Sequence, residues 1–239
     1  MATHPMWLRS VFSLVLKPTC PLCQRTAATD CCDACWQQVQ ECQLTLEQQS
    51  WAGEMPLFAA GRYDGTLRRA IATLKYHNHP ELAQPLGVWL ADRWQASKKQ
   101  RVGIPRNPVV VPIPLHADKL STRGFNQAEL LAQAFCQRTG LRMMPQALVR
   151  TQMTAAQFGL STAAREHNVA SAFAVAPGFS RQVGDRPVLL LDDIYTTGAT
   201  ARATCQILRK AGVPVLGMVA IARAIKAHQP ASTSLIKPR

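Results

Sequence analysis

Acidic residues are scarce in this chain: 14 Asp and Glu stand against 27 Lys and Arg in 239 residues, a formal net charge of +13. That imbalance turns attention to polyanionic partners, whether nucleic acid, a phosphorylated substrate or an anionic membrane surface. Arginine supplies most of the charge, and its planar fork suits phosphate by binding two oxygens at once. The charge is spread along the chain, which excludes a single basic tail as its source. Long hydrophobic runs are missing too. The apolar stretch Met6 to Leu16 is too short to span a bilayer, so stable membrane insertion is not expected. Arg9 interrupts it and no small-residue cleavage site follows, against an export signal and in favour of a cytoplasmic protein. Trp7, Val11, Leu14 and Val15 would share one helical face, packed on the protein's own body or docked on a partner or membrane surface. The remaining composition, 47% hydrophobic and 17% charged, is globular and long enough for one or two domains.

The chain is organised around Leu189 to Thr200, LLLDDIYTTGAT. The run Val188 to Leu191 never alternates with polar residues, so it predicts a strand buried on both faces and ended by Asp192 and Asp193. Thr196, Thr197, Gly198, Ala199 and Thr200 then lead into a helical pattern from Ala201 to Ala211. Strand, tight turn and helix start in that order form an anion site, because the first-turn N–H groups point outward and hydroxyls add donors. Two acids would repel a lone phosphate. They fit a ligand that also carries a diol or a cation, and a phosphorylated ribose bearing pyrophosphate and Mg²⁺ has both.

DDIYTTGAT resembles the signature of the type I phosphoribosyltransferases, which bind phosphoribosyl pyrophosphate. The resemblance implies that Asp192 and Asp193 hold the ribose hydroxyls, directly or through Mg²⁺, and that Thr196 to Thr200 wrap the 5-phosphate. It implies an α/β fold, a Rossmann-like parallel sheet flanked by helices. In that family a loop after the first core strand grips pyrophosphate, and Lys75-Tyr76 sits near that job; His77-Asn78-His79 stands there where glycine is expected. The same two histidines match no specific metal spacing.

Cys20-Pro-Leu-Cys23 and Cys32-Asp-Ala-Cys35 make two C-x₂-C knuckles, each presenting two thiolates to one tetrahedral ion. Zn²⁺ is the expected occupant, and four thiolates close its shell, so the site is structural. Disulfides and an iron–sulfur cluster are the competing readings. Cys31 could replace Cys32 at a shifted spacing, and Cys42 stands nearby; Cys136 and Cys205 fall in helical patterns and read as buried thiols.

Polar residues from Gln37 to Gly53 read as a helix fading into a linker. The expected division is a cysteine module at 1–49, a core domain at 54–224 and a basic, proline-interrupted tail at 225–239. Within the core, Leu57 to Tyr63 reads as a strand, Asp64-Gly65 as a turn, and Thr66 to Tyr76 and Glu81 to Trp94 as helices. Val109 to Val111 reads as a buried strand, and Ala128 to Arg138 as a helix entered through RGFNQ. Two accounts of RGFNQ stand side by side. Either Gly124 permits the turn and Asn126 caps the helix, or Arg123 binds phosphate with Asn126 or Gln127 at the rim. Thr151 to Thr162 reads as a lid or a surface loop, and as a lid it would bring Arg150, Thr154 and Gln157 to the ligand. Val213 to Ala222 closes the sheet. No stretch reads as a base-recognition pocket.

RGFNQAELLA, together with Arg150 to Gln157, Leu160, Arg165, Asn168 and Ala172-Phe173, resembles the ComF family of competence proteins, which includes GntX-like members. That family couples a four-cysteine finger to this type of core, and the match runs from Cys20 to about Arg223. The resemblance implies a role in DNA uptake for transformation, single-stranded DNA or another nucleic acid as a partner, and a helicase-like competence protein beside it. It leaves open whether the site turns over or only binds.

Overall fold

The structure, a computed structural model, describes residues 19–45, 48, 55–97, 105, 107–151 and 172–225. The apolar stretch at 6–16, the segment 152–171 and the tail from 226 lie outside the described residues. After the cysteine knuckles comes α1 (Asp33–Glu41), then β1 (Leu57–Arg62), α2 (Gly65–Tyr76), a 3₁₀ turn (Pro80–Leu82) and α3 (Ala83–Ala96). The core continues with β2 (Val109–Pro112), α4 (Ala117–Arg123), α5 (Gln127–Thr139), β3 (Arg142–Met143), β4 (Leu148–Arg150) and β5 (Phe173–Val175). It ends with α6 (Phe179–Val183), β6 (Val188–Tyr195), α7 (Ala199–Lys210) and β7 (Val215–Arg223).

Five strands form one sheet in the order β1-β7-β6-β2-β3, and every neighbouring pair is parallel. β4 and β5 pair antiparallel in a small separate sheet. β6 lies at the centre, and its side chains alternate between two packed layers, as a period of two requires. Leu189 and Leu191 join Val110, Val219 and Ile221 under α2, α3 and α5. Val188 and Leu190 join Val109, Val111 and Met218 over α6 and α7. Each such fully buried side chain contributes roughly 1.5–3 kcal/mol. This two-sided burial is why the strand reads as an unbroken apolar run.

The α3–α5 layer closes on a glycine. A Cβ at Gly87 would lie 2.6 Å from the Ala134 Cβ and 2.7 Å from the Leu131 carbonyl oxygen, so the helices meet there almost backbone to backbone. Trp94 stands edge-on to Phe58 and Phe135 in the same layer, with ring centroids 5.4 and 6.3 Å away.

The cysteine module packs on this layer as well. Cys20, Cys35 and Val39 share one apolar cluster with Leu67, Ile71 and Trp89, and Trp36 meets Trp89 edge-on at 6.3 Å. The chain leaving α1 runs antiparallel along the outer side of β1. Leu44 N–H donates to the Ala60 carbonyl at 3.1 Å, and Arg62 N–H donates to the Cys42 carbonyl at 2.7 Å. The module thereby covers an edge strand that would otherwise offer unpaired backbone groups.

Connectivity defines a crevice. From β2 the chain steps outward to β3, and from β6 it steps outward the other way to β7. The strand order reverses between β2 and β6, and in open α/β sheets the crevice at the carboxyl ends beside such a reversal takes the ligand.

Two local readings change. β6 does not stop at Leu191: it pairs with β7 through Tyr195↔Arg223, so both acids lie inside the strand. Asp is a poor strand former, and pairing with a buried neighbour overrides that preference. Asp64 is no free turn residue either, since it caps α2 by accepting from Gly65 N–H at 2.7 Å.

Candidate functional site

Because the acids are consecutive in a strand, they leave it on opposite faces. Asp193 follows Leu189 and Leu191 toward α2, where Lys75, in the last turn of that helix, pairs with it through Nζ and Oδ2. Asp193 is 3% exposed, and its Oδ1 also accepts from Ile194 N–H at 2.9 Å. Asp192 follows Val188 and Leu190 toward α7. It is half-buried and lines a hollow with Tyr195, Met218 and the turn Thr196 to Thr200.

That turn is shaped by Gly198, whose φ of +77° is a left-handed conformation. Its missing side chain matters equally, because a Cβ there would run into the Tyr195 ring. Gly198 is also the N-cap of α7 and has no side chain to offer the first turn; Thr197 Oγ1 accepts from Ala199 N–H only at a long 3.4 Å. The helix start therefore presents donors to the hollow beside the exposed hydroxyls of Thr196 and Thr197.

A second hollow opens beside Lys75, lined by Tyr76, Asn78, Lys119 and Arg123. Arg123, at the end of α4, places its guanidinium 5.5 Å from the centre of the Tyr76 ring and donates to Gln127 Oε1. Tyr76 is 72% exposed. Asn78 has a φ of +55°, so the position where glycine was expected takes the left-handed backbone that glycine usually supplies.

Electrostatics tie the two sides together. Burial pushes Asp192 up to about 6, with Lys75 and Arg150 pulling the other way. Burial draws Lys75 down to about 8; Asp192 opposes that fall, and the charges of Arg123 and Lys119 add to it. Displaced titration of several groups around one crevice marks functional sites more often than plain surface.

Within RGFNQ the cap account describes Asn126: its Oδ1 accepts from Ala128 N–H and its Nδ2 donates to the Ile113 carbonyl, both at 3.1 Å. Gly124 takes a φ of +81° at the end of α4. Gln127 is buried under Arg123. Arg150, at the end of β4, lies over the Phe173 ring at 5.1 Å. Thr154, Gln157, Leu160, Arg165 and Asn168 lie outside the described residues. Sequence reasoning passed over α4 and with it Lys119; the signal available was Gly124 as a helix-ending glycine.

The sulfurs of Cys20, Cys23, Cys32 and Cys35 all lie within 4.8 Å of one another, a cluster able to hold a metal ion. Four thiolates 2.3 Å from a tetrahedral Zn²⁺ would sit about 3.8 Å apart. Arg25 Nε donates to Cys23 Sγ at 3.4 Å and holds that thiol down to about 6. Cys31 stays outside the set, its Sγ 4.0 Å from Cys20 Sγ and 3.7 Å from the Cys32 carbonyl oxygen. Cys42 donates to the carbonyls of Gln38 and Asp64, each at 3.5 Å. Cys136 and Cys205 are buried free thiols. Among the described residues no helix is long and apolar enough to cross a membrane.

No family model matches the chain. Among curated proteins, it is 30% identical to Competence protein F of Haemophilus influenzae over 187 residues, covering 77% of this chain and 79% of that protein. It is 27% identical to DNA utilization protein YhgH of Escherichia coli O6:H1, covering 86% and 90%. It is 24% identical to Competence protein ComFC of Streptococcus pneumoniae, covering 85% and 80%. The glutamine phosphoribosylpyrophosphate amidotransferase of Bacillus subtilis, complexed with ADP and GMP, aligns at 20% identity and a TM-score of 0.33, over 58% of this chain and 25% of that one, a partial likeness. On the first of these matches, the chain belongs to the ComF family of competence proteins.

Proposed function

We propose that this protein binds phosphoribosyl pyrophosphate with Mg²⁺ at the carboxyl end of β6 and serves natural competence, the handling of DNA taken up for transformation. One observation supports the reading above others: Asp192 opens into a hollow whose far wall is the Gly198 turn and the uncapped start of α7. A 5-phosphate fits the donors of Thr196, Thr197, Gly198, Ala199 and Thr200, and a ribose diol fits the carboxylate. Pyrophosphate fits the opposite side, where Lys75 and Arg123 bring positive charge to one opening.

A half-buried carboxylate is a hard oxygen ligand of the kind Mg²⁺ takes. When bound, Mg²⁺ would neutralise charge on the departing pyrophosphate. The protein's own residues divide the work. Asp192 faces the ribose and stabilises positive charge building at C1, as in glycoside cleavage. Asp193 fixes Lys75 at the other side of the strand. Transfer to a nitrogen of an acceptor is the chemistry this arrangement would perform.

The cysteine cluster would hold structural Zn²⁺, its thiolates kept reduced in the cytoplasm. Module, core and tail would then divide near 49–54 and 225. Single-stranded DNA or another nucleic acid fits the positive charge, and a helicase-like competence protein fits the family. Calorimetry with phosphoribosyl pyrophosphate and Mg²⁺ tests the core of the reading. Binding by the wild type and its loss in Asp192→Asn, with the fold intact, is the expected result; equal heats from both proteins would defeat it.

A further inference from the structure

At the carboxyl end of the sheet, on the side of β7 away from β2, two arginines stand opposite each other. Arg62 ends β1 and Arg223 ends β7, and they are register partners. Register partners in a parallel sheet project to the same side, so two like-charged side chains leave backbones about one strand spacing, roughly 4.8 Å, apart. Like charges directly opposite destabilise a sheet. Among the described residues no carboxylate forms an ion pair with either one. The nearby acid, Asp64, has its Oδ1 engaged at the start of α2.

The position relative to the crevice gives the pair its meaning. Arg223 is also the register partner of Tyr195, the residue whose ring walls the Gly198 turn. The two arginines therefore lie about one and two strand spacings, roughly 5 and 10 Å, from that wall. Arg62 is exposed and Arg223 half-buried. Neither lines the hollow beside Lys119 and Arg123, the one assigned to pyrophosphate.

We propose that Arg62 and Arg223 form an anchoring site for a phosphate group of a second ligand, separate from the donor cradle. That ligand is a phosphorylated acceptor or a single strand that reaches the crevice over the carboxyl ends of β1 and β7; its description as the second ligand rests on the donor reading above. A phosphate between two guanidinium forks satisfies donors on both and cancels their mutual repulsion. Its source is a mononucleotide or the backbone of a single strand, since both carry the same group.

The test uses the full-length protein loaded with zinc. Three probes are titrated: phosphoribosyl pyrophosphate with Mg²⁺, thymidine 5′-monophosphate, and a ten-residue thymidine oligonucleotide. In Arg62→Gln/Arg223→Gln, affinity for the oligonucleotide or the mononucleotide falls at least tenfold, while the donor binds within twofold of wild type. If the strand is the source, the salt dependence of its binding loses a slope of about 0.7, the value for one phosphate contact on a single strand. Loss confined to the mononucleotide, with no slope change, assigns the free nucleotide instead. Arg62→Lys/Arg223→Lys keeps the charge without the fork and gives an intermediate loss; it also serves should the glutamine variant fail to fold. Unchanged affinity for both thymidine probes, or no binding of either by the wild type, overturns the anchor and leaves a solvated arginine pair. Equal loss of the donor overturns it too, because the arginines would then belong to the cradle. A wild type that ignores the donor but binds a thymidine probe through these arginines removes the donor reading and keeps the anchor.

Discussion

Replacing Lys75 with methionine isolates the ion pair that couples α2 to β6. The side chains of Lys75 and Asp193 are 15% and 4% exposed, so the partners meet in a largely dry setting. Removing one member of a buried pair leaves the other charge uncompensated and typically costs 3–5 kcal/mol. Lys75 keeps some contact with water, which places the expected loss at the lower end, about 3 kcal/mol. In a chain of this size each kcal/mol shifts the melting midpoint by about 2–4 °C, giving a drop of roughly 6–12 °C. Adding Asp193→Asn removes the stranded charge, and the double variant should regain about half of the loss or more. The assay is chemical denaturation of all four proteins in the cycle, with melting as a second probe. A Lys75→Met protein melting within 2 °C of wild type would refute the reasoning, as would strict additivity in the cycle, since either result means that the two groups are solvated and uncoupled.

Asp192 titrates at about 6, above its ordinary value of 3.8, because burial disfavours its charged form. Metal-dependent binding needs the carboxylate, so affinity for phosphoribosyl pyrophosphate with Mg²⁺ should hold above pH 6 and fall about tenfold per unit below it, read by calorimetry; a flat profile from pH 7 to 5 would contradict this. The same raised value means the folded protein binds more protons than the unfolded chain between about 3.8 and 6. This group's contribution to stability therefore declines as pH rises through that window, and Asp192→Asn should flatten that part of the denaturation profile. Gly198→Ala forces a Cβ toward the Tyr195 ring at a positive φ; it should cost about 1–3 kcal/mol of stability and weaken phosphate binding more than tenfold, whereas a normal binding isotherm would show that the turn has room to spare. Cys31→Ser should leave metal content by atomic emission at the wild-type level, while Cys35→Ser should lose the ion and with it the packing of Trp36 on Trp89, visible as a change in tryptophan emission.

What could be read along the chain were features whose cause is local. The unbroken run at Val188 to Leu191 announced a strand covered on both faces, and it is covered on both faces. Gly124 and Asn126 act on their own helix ends, within a few residues of themselves, so short-range rules reach them. The two C-x₂-C knuckles carry their geometry in their spacing, and their four sulfurs lie together. Other features depend on partners far away in sequence. β4 and β5 pair across a long intervening segment and are only three residues each, too short to show a period. β6 extends through Asp192 and Asp193 because β7 pairs with it to Tyr195.

The amino-acid order by itself determined that two acids follow an apolar run ahead of a small, hydroxylated turn, and that four thiols come in two close pairs. Only the tertiary structure decided that the acids part company, Asp192 toward the Gly198 turn and Asp193 toward Lys75. It alone set Arg62 beside Arg223. The reason is that local pattern fixes which side of a strand a residue leaves from, whereas what waits on that side is set by which strands and helices the chain brings back to it.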